Sequence, residues 1–181
     1  MSTLPKNAKA QKRLRAAPSS HQLHIVLVEP EIPPNTGNIA RLCAATSSSL
    51  HLVHPLGFSV SEKAVRRAGL DYWPEVDLHE HANFESFLET DVGQGRKYFL
   101  SGKAEKSYLD IKFESGDVLI FGKESTGLSD AIHQRFESHL IGIPTRGNVR
   151  SLNLANAVSI CLYEGLRQLN ALSEAELRPL D

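Results

Sequence analysis

The stretch Val118-Leu119-Ile120-Phe121-Gly122-Lys123-Glu124-Ser125-Thr126-Gly127-Leu128 decides how this chain is read. Four apolar residues run straight into a polar loop with glycine near either end, and Ser129 to Phe136 then reads as a helix. A short apolar run bounded by turn signals fits a strand buried on both faces of a sheet. The loop after such a strand lies at its C-terminal end, where open α/β sheets bind ligands. Gly122 there gives room for a ligand to approach the backbone, and Gly127 suits a tight turn. Glu124 reads equally well as an exposed loop acid or as part of a site. The loop lacks the Gly-Lys-Ser/Thr ending of a phosphate loop and the Gly-x-Gly-x-x-Gly dinucleotide signature.

Working outward, strands and helices alternate. Ile25-Val26-Leu27-Val28 repeats the buried-strand pattern, Pro30, Pro33 and Pro34 force a loop, and Asn35 is placed to cap a helix over Thr36 to Ala45. Leu50 to Val53 reads as a strand, Ser61 to Ala68 as a short basic helix, Val76 to Leu78 as a strand and Asn83 to Leu88 as a helix. Tyr98 to Leu100 and Leu140 to Ile143 are further strands, the latter ended by Pro144. A polar loop over 145–151 leads to a long helix, Leu152 to Leu169, with Ser151 as its expected cap. The expected class is therefore α/β, with a mostly parallel sheet and helices on both faces. Leu154, Ala155, Ala157, Val158, Cys161, Leu162, Leu166 and Leu169 occupy most of the last helix's circumference, so it is expected to be covered on more than one side. One cover is its own sheet, and the second is a partner subunit.

With 181 residues, 41% of them hydrophobic, the chain has the size of about one domain. No apolar run is long enough to span a membrane and no signal-peptide core is apparent. Cys43 and Cys161 sit in apolar helical patterns, which points away from a disulfide framework and towards a reducing, cytoplasmic setting. The net charge of −1 hides an asymmetry. Residues 1–21 hold Lys6, Lys9, Lys12, Arg13 and Arg15 and no acid, leaving 15 basic and 21 acidic residues in the remainder. Residues 1–21 are expected to be a disordered basic arm, 22–170 the folded domain and 171–181 a tail.

Two more segments accompany the Phe121–Leu128 loop: Asn35-Thr36-Gly37-Asn38-Ile39-Ala40-Arg41 and Ser151-Leu152-Asn153-Leu154-Ala155-Asn156-Ala157. In the first, helix amides and Arg41 are suited to meet an anion, although a plain capped helix with a surface arginine has the same pattern. In the second, amides in an apolar helix need partners, either as a cap or around a ligand. His51, His54, His79 and His81 lack neighbours at ligand spacing, so no metal is expected. Lys63, Arg66 and Arg67 form the best internal phosphate-binding patch.

The three segments in this order resemble the motifs of SpoU-type SPOUT RNA 2′-O-methyltransferases. The match is closest to the subfamily acting on cytidine or uridine at position 34 of tRNA. It is carried by Glu29 to Asn38, Arg66 to Tyr72, Phe121 to Leu128 and Ser151 to Ser159 with Tyr163-Glu164, across about residues 24–170. The resemblance implies a C-terminal trefoil knot, S-adenosylmethionine as methyl donor, S-adenosylhomocysteine as product, a homodimer through the C-terminal helix, and tRNA as partner, with leucine isoacceptors foremost. It implies a cofactor pocket at Leu100, Gly122, Ile143 and Ser151, and a catalytic set of Arg41, Asn35, Glu124 and Asn153. Arg41 is expected to clamp the adjoining phosphate, oriented by Asn35 and Glu124, because a guanidinium (pKa above about 12) makes a poor base. Lys63, Arg66, Arg67, Arg146 and Arg150 are the expected RNA contacts. Methylation of another tRNA or ribosomal RNA site, or a non-catalytic RNA-binding module, are the alternative readings.

Overall fold

In the computed structural model, residues 12–58 and 72–179 are described. Six strands form one parallel sheet, and six apolar or amphipathic stretches supply them: β2 (His24–Val28), β3 (Ser49–Val53), β4 (Leu78–His81), β5 (Lys97–Leu100), β6 (Val118–Phe121) and β7 (Leu140–Ile141). Their order across the sheet is β4-β3-β2-β6-β5-β7. The central strands β2, β3 and β6 are buried throughout apart from half-buried His24, as their runs of Val, Ile and Leu require.

Side chains alternate between two cores. Ile25, Leu27, Leu50, Leu52, Leu119 and Phe121 face α1 (Pro33–Thr46) and the long C-terminal helix. Val26, Val28, Val53, Ile120 and Phe99 face the opposite layer, which includes α2 (Phe84–Leu88). Past the short helix α3 (Asp91–Gln94), this second layer is completed by Ile132 of α4 (Asp130–Arg135). The C-terminal helix, α5, spans Leu154–Gln168 and buries Ala155, Val158, Cys161, Leu162 and Leu166.

This layering fixes the site. β2 and β6 are neighbours, with Leu27 opposite Phe121. Beyond their C-terminal ends, α1 leaves towards one face and α4 towards the other. The crevice between diverging connections is where such sheets take ligands. At the sheet's edge, residues 141–142 are held from two sides. Ile141 O accepts from Ser101 N at 3.0 Å, Gly142 N donates to Lys106 O at 2.9 Å, and Gly142 O accepts from Tyr108 N at 2.9 Å. The end of β7 is thus bordered on both sides by the segment that follows β5.

Several expectations shift. Asn35 does not cap α1: it sits in the helix's first turn, and the capping position is Ile32, which offers no side-chain acceptor. Pro33 and Pro34 lack the N–H groups a cap would satisfy. Asn153, not Ser151, caps α5, accepting from Ala155 N at 3.0 Å. β4 lies over Leu78–His81 rather than Val76–Leu78, and its polar sequence explains why its tail reads poorly as a strand. Lys12–Arg15, expected in an unstructured arm, form strand β1 against β8 (Glu176–Pro179), a pairing between the chain's two ends that local composition does not reveal. The expected helix over Ser61 to Ala68, with Lys63, Arg66 and Arg67, lies outside the described residues.

The scattered histidines gather on one face of the β2-β3-β4 edge. His51 Nδ1 lies 3.0 Å from His81 Nε2, and His51 Nε2 lies 3.3 Å from His24 Nδ1. His51 therefore spends both ring nitrogens on other imidazoles, and His79 stacks on it while bonding Asp77. Among the described residues, no group of three or more His, Cys, Asp or Glu is placed to hold a metal ion. Burial, and then the neighbouring histidines, hold the His51 imidazole down to about 3. His24 and His81 are also lowered, chiefly by burial. An unfolded chain protonates these rings as pH falls through about 6.5, whereas the folded chain resists. Their contribution to stability is complete above that pH and is lost on acidification. Thermal melts between about pH 6.5 and 5 should fall in midpoint for the wild type, with His51 alone worth up to about 1.4 kcal/mol per pH unit. His51→Gln should show a shallower fall, and an equally steep one would show that the cluster is not the source.

Candidate functional site

Three distant segments meet at one amide. The Asn35 side chain is buried on the first turn of α1. Its Nδ2 donates to Glu124 Oε1 at 2.9 Å, and its Oδ1 accepts from Asn153 Nδ2 at 3.0 Å. Glu124 also accepts from Glu31 N at 2.8 Å and Ile32 N at 3.3 Å, taking up amides just ahead of the helix. Asn153 holds α5 by its cap and α1 by its amide at once.

The loops beside this junction are laced together. Ser125 N and Oγ both donate to Glu31, at 3.0 and 2.9 Å, and these bonds hold the Glu31 carboxyl below its ordinary range. Lys123 Nζ donates to Glu29 Oε2 at 2.6 Å, and the same bond raises the lysine. The Arg150 guanidinium donates to Ser125 O at 2.6 Å, fixing the last polar loop against the Phe121–Leu128 loop. Gly122 serves this packing directly: a Cβ there would lie 2.2 Å from Gly127 C and from Leu128 N. Its bare backbone is thus required by the loop's own closure, a tighter reason than room for a ligand. Gly127 turns at φ +74°, which only glycine adopts easily.

The expected pocket residues lie at one end of the sheet. Leu100 ends β5, Gly122 follows β6 and Ile143 follows β7, and these strands are adjacent in the order β6-β5-β7. Leu100 and Ile143 are half-buried against the core beneath. Ser151 follows Arg150, which spans from the Gly102 turn to Ser125. Arg41 stands apart from the polar junction. Its guanidinium carbon is 4.6 Å from the centroid of the Tyr72 ring, and the Tyr72 hydroxyl donates to Gly37 O at 2.7 Å. Among the described residues no hydrogen bond joins Arg41 to Asn35 or Glu124, so the expectation that those two orient it directly is corrected. They hold the helix that carries it. Arg146 is exposed in the same polar loop as Arg150.

Some residues of the site escaped the sequence reading. Glu31 and Ser125 are reciprocal partners across 94 positions, and nothing local announces that. Tyr72 lies in the motif run but its packing on Arg41 has no spacing signal. Ser101 Oγ, at the end of β5, is 2.8 Å from His133 Nε2, whose other nitrogen bonds Ser129 O, so α4 braces the turn after β5.

Replacing Asn35 by Asp sets two carboxylates face to face where an amide now donates. Asn35→Asp should lose about 2–3 kcal/mol in urea unfolding. The swap Asn35→Asp with Glu124→Gln, which restores a donor facing an acceptor, should recover at least half of that, roughly 1 kcal/mol or more. No recovery would mean that the direct contact is not what is lost.

Residues 22–163 match the SpoU rRNA Methylase family. A tRNA (cytidine(34)-2'-O)-methyltransferase from Methylovorus glucosotrophus is 46% identical over 145 residues, covering 80% of this chain and 94% of that protein. A solved structure described as giving insight into the 2-OH methylation of C/U34 on tRNA superposes with a TM-score of 0.77 at 49% identity, covering 83% and 97% of the two chains. An AdoMet-bound rRNA methyltransferase from Sinorhizobium meliloti superposes at 0.70 with 27% identity, covering 82% of this chain and 57% of that one. The diverging connections after β2 and β6, the three segments joined at Asn35 and the match over most of the chain have one reading: this chain belongs to the SpoU methylase family.

Proposed function

We propose that the protein transfers a methyl group from S-adenosylmethionine to the ribose 2′-hydroxyl of the nucleotide at position 34 of tRNA. The observation that carries this reading is the Asn153–Asn35–Glu124 junction at the strand ends, which anchors the helix that presents an exposed Arg41 on Tyr72. The relatives named for this activity, at 46% and 49% identity over nearly their whole length, support the same target.

The residues at the strand ends fit the donor. Leu100 and Ile143 offer half-buried apolar flanks for a flat ring, while Gly122 and Ser151 bring backbone groups to its edge. When bound, the donor supplies a sulfonium methyl that is already activated for transfer. What the protein adds is alignment of the ribose oxygen and stabilisation of the charge that develops on it. Glu124 is saturated by three donors and acts as a positioning residue, as do Asn35 and Asn153. Arg41 is exposed and free to turn its fork of donors towards a phosphate, with Tyr72 as a platform beneath it. Arg146 and Arg150 extend the cationic edge across the polar loop. The hydrogen bonds that residues 141–142 make to Ser101 on one side and to Lys106 and Tyr108 on the other support a knotted connection here.

The reading includes a homodimer through α5. Beside that helix, Tyr108, Ile160, Tyr163 and Leu172 line a groove of about 540 Å³, and Tyr163 is 48% exposed. The apolar lining and the exposed Tyr163 ring suit this groove to subunit contact. Ile160→Asp should convert a dimer into a monomer in sedimentation, and a dimer persisting in that variant would place the contact elsewhere.

Mass mapping of ribose methylation on total tRNA, with and without the protein, tests the activity: a methyl gained only at position 34 is expected, and none at any ribose would overturn the reading. Arg41→Lys should lower turnover by about tenfold or more, because a lysine cannot reproduce the planar fork. Near-wild-type turnover would remove the clamp.

A further inference from the structure

Lys12–Arg15 and Glu176–Pro179 lie outside the residues matched by the family, and they pair with each other. β1 runs antiparallel to β8 in a two-stranded ribbon separate from the main sheet. Directly opposed residues of such a pair share a face, and faces alternate along each strand. The register therefore divides the ribbon. Arg13 opposes Arg178 and Arg15 opposes Glu176 on one face, while Leu14 opposes Leu177 and Lys12 opposes Pro179 on the other.

The first face carries three guanidiniums and one carboxylate. Glu176 is engaged along its own strand, where Arg178 Nε donates to Oε1 at 2.8 Å. Arg13 and Arg15 are exposed, and among the described residues no ion pair engages either. Glu174, in the turn before β8, is outside the register. Like charges directly opposed weaken an antiparallel pair. The Arg13–Arg178 opposition is thus a cost that a bridging anion relieves, and guanidinium forks suit phosphate oxygens. The surplus is local, since the whole chain holds 20 basic and 21 acidic residues.

We propose that this arginine face binds the phosphodiester backbone of the RNA substrate at a place remote from the modified nucleotide, an inference that rests on the RNA-methylating reading above. α5 starts at the polar junction and runs 15 residues, about 22 Å, so the chain leaves for β8, seven residues on, from the helix end away from that junction. β1 likewise leads into the start of β2, the sheet end opposite the site. The ribbon therefore holds the body of the RNA, and its effect falls on KM rather than kcat.

The test compares wild type with the triple variant Arg13→Ser, Arg15→Ser, Arg178→Ser. Binding of unfractionated tRNA is followed by anisotropy from about 50 to 200 mM salt, beside methyl-transfer kinetics. The expected result is a salt slope shallower by about 2, a Kd and KM raised about tenfold, and kcat within about twofold. The corresponding triple lysine variant should keep the slope. A Leu14→Ser, Leu177→Ser variant, which leaves every charge in place, should bind as wild type. Unchanged slope and Kd in the serine variant would overturn the proposal, as would an equal loss in the leucine variant. A wild type that binds tRNA through these arginines yet methylates no RNA would instead sink the activity reading and leave the surface standing.

Discussion

One buried amide holds three distant segments together at the C-terminal end of the sheet. Asn35 gives its N–H to Glu124 and its oxygen to Asn153, and so pins the first helix, the β6 loop and the start of the last helix to one point. A primary amide carries a donor and an acceptor on opposite arms of one plane, which suits it to join two such partners. Its burial makes both bonds obligatory, since an unpaired polar group there costs about 1–3 kcal/mol. Everything else at the site is arranged around that point. The Glu31–Ser125 and Lys123–Glu29 contacts lock the two loops, and Arg150 ties the last loop to them.

The consequence for chemistry is a division of labour. The groups that look reactive in the sequence, Glu124 and the two asparagines, are consumed by structure. Arg41 is left exposed on Tyr72, with donors available for an incoming anion. A site whose polar centre is already satisfied is rigid before the substrate arrives, which favours alignment over proton relay.

Much of this was legible in the residues. Runs such as Ile25–Val28 and Val118–Phe121 announced the central strands because a strand buried on both faces is apolar throughout. The three polar segments were legible as strand-end loops, and they do converge. What local pattern missed depends on distant partners. Asn35 reads as a cap because Asn commonly caps helices, yet two prolines remove the need and Glu124, 89 positions away, claims its amide. The histidines looked isolated in sequence because a parallel sheet places His24, His51 and His81 side by side only after two crossovers. β1 and β8 pair across more than 160 positions, and their composition alone reads as a disordered arm and a tail.

The two-sided grip on residues 141–142 bears on what happens to incomplete chains. A product ending before Leu140 would present the backbone of Ser101, Lys106 and Tyr108 as two unfilled borders separated by the width of one strand. Such open borders recruit extended segments from other molecules. Residues 140–142 therefore close both borders at once and leave neither open to such recruitment.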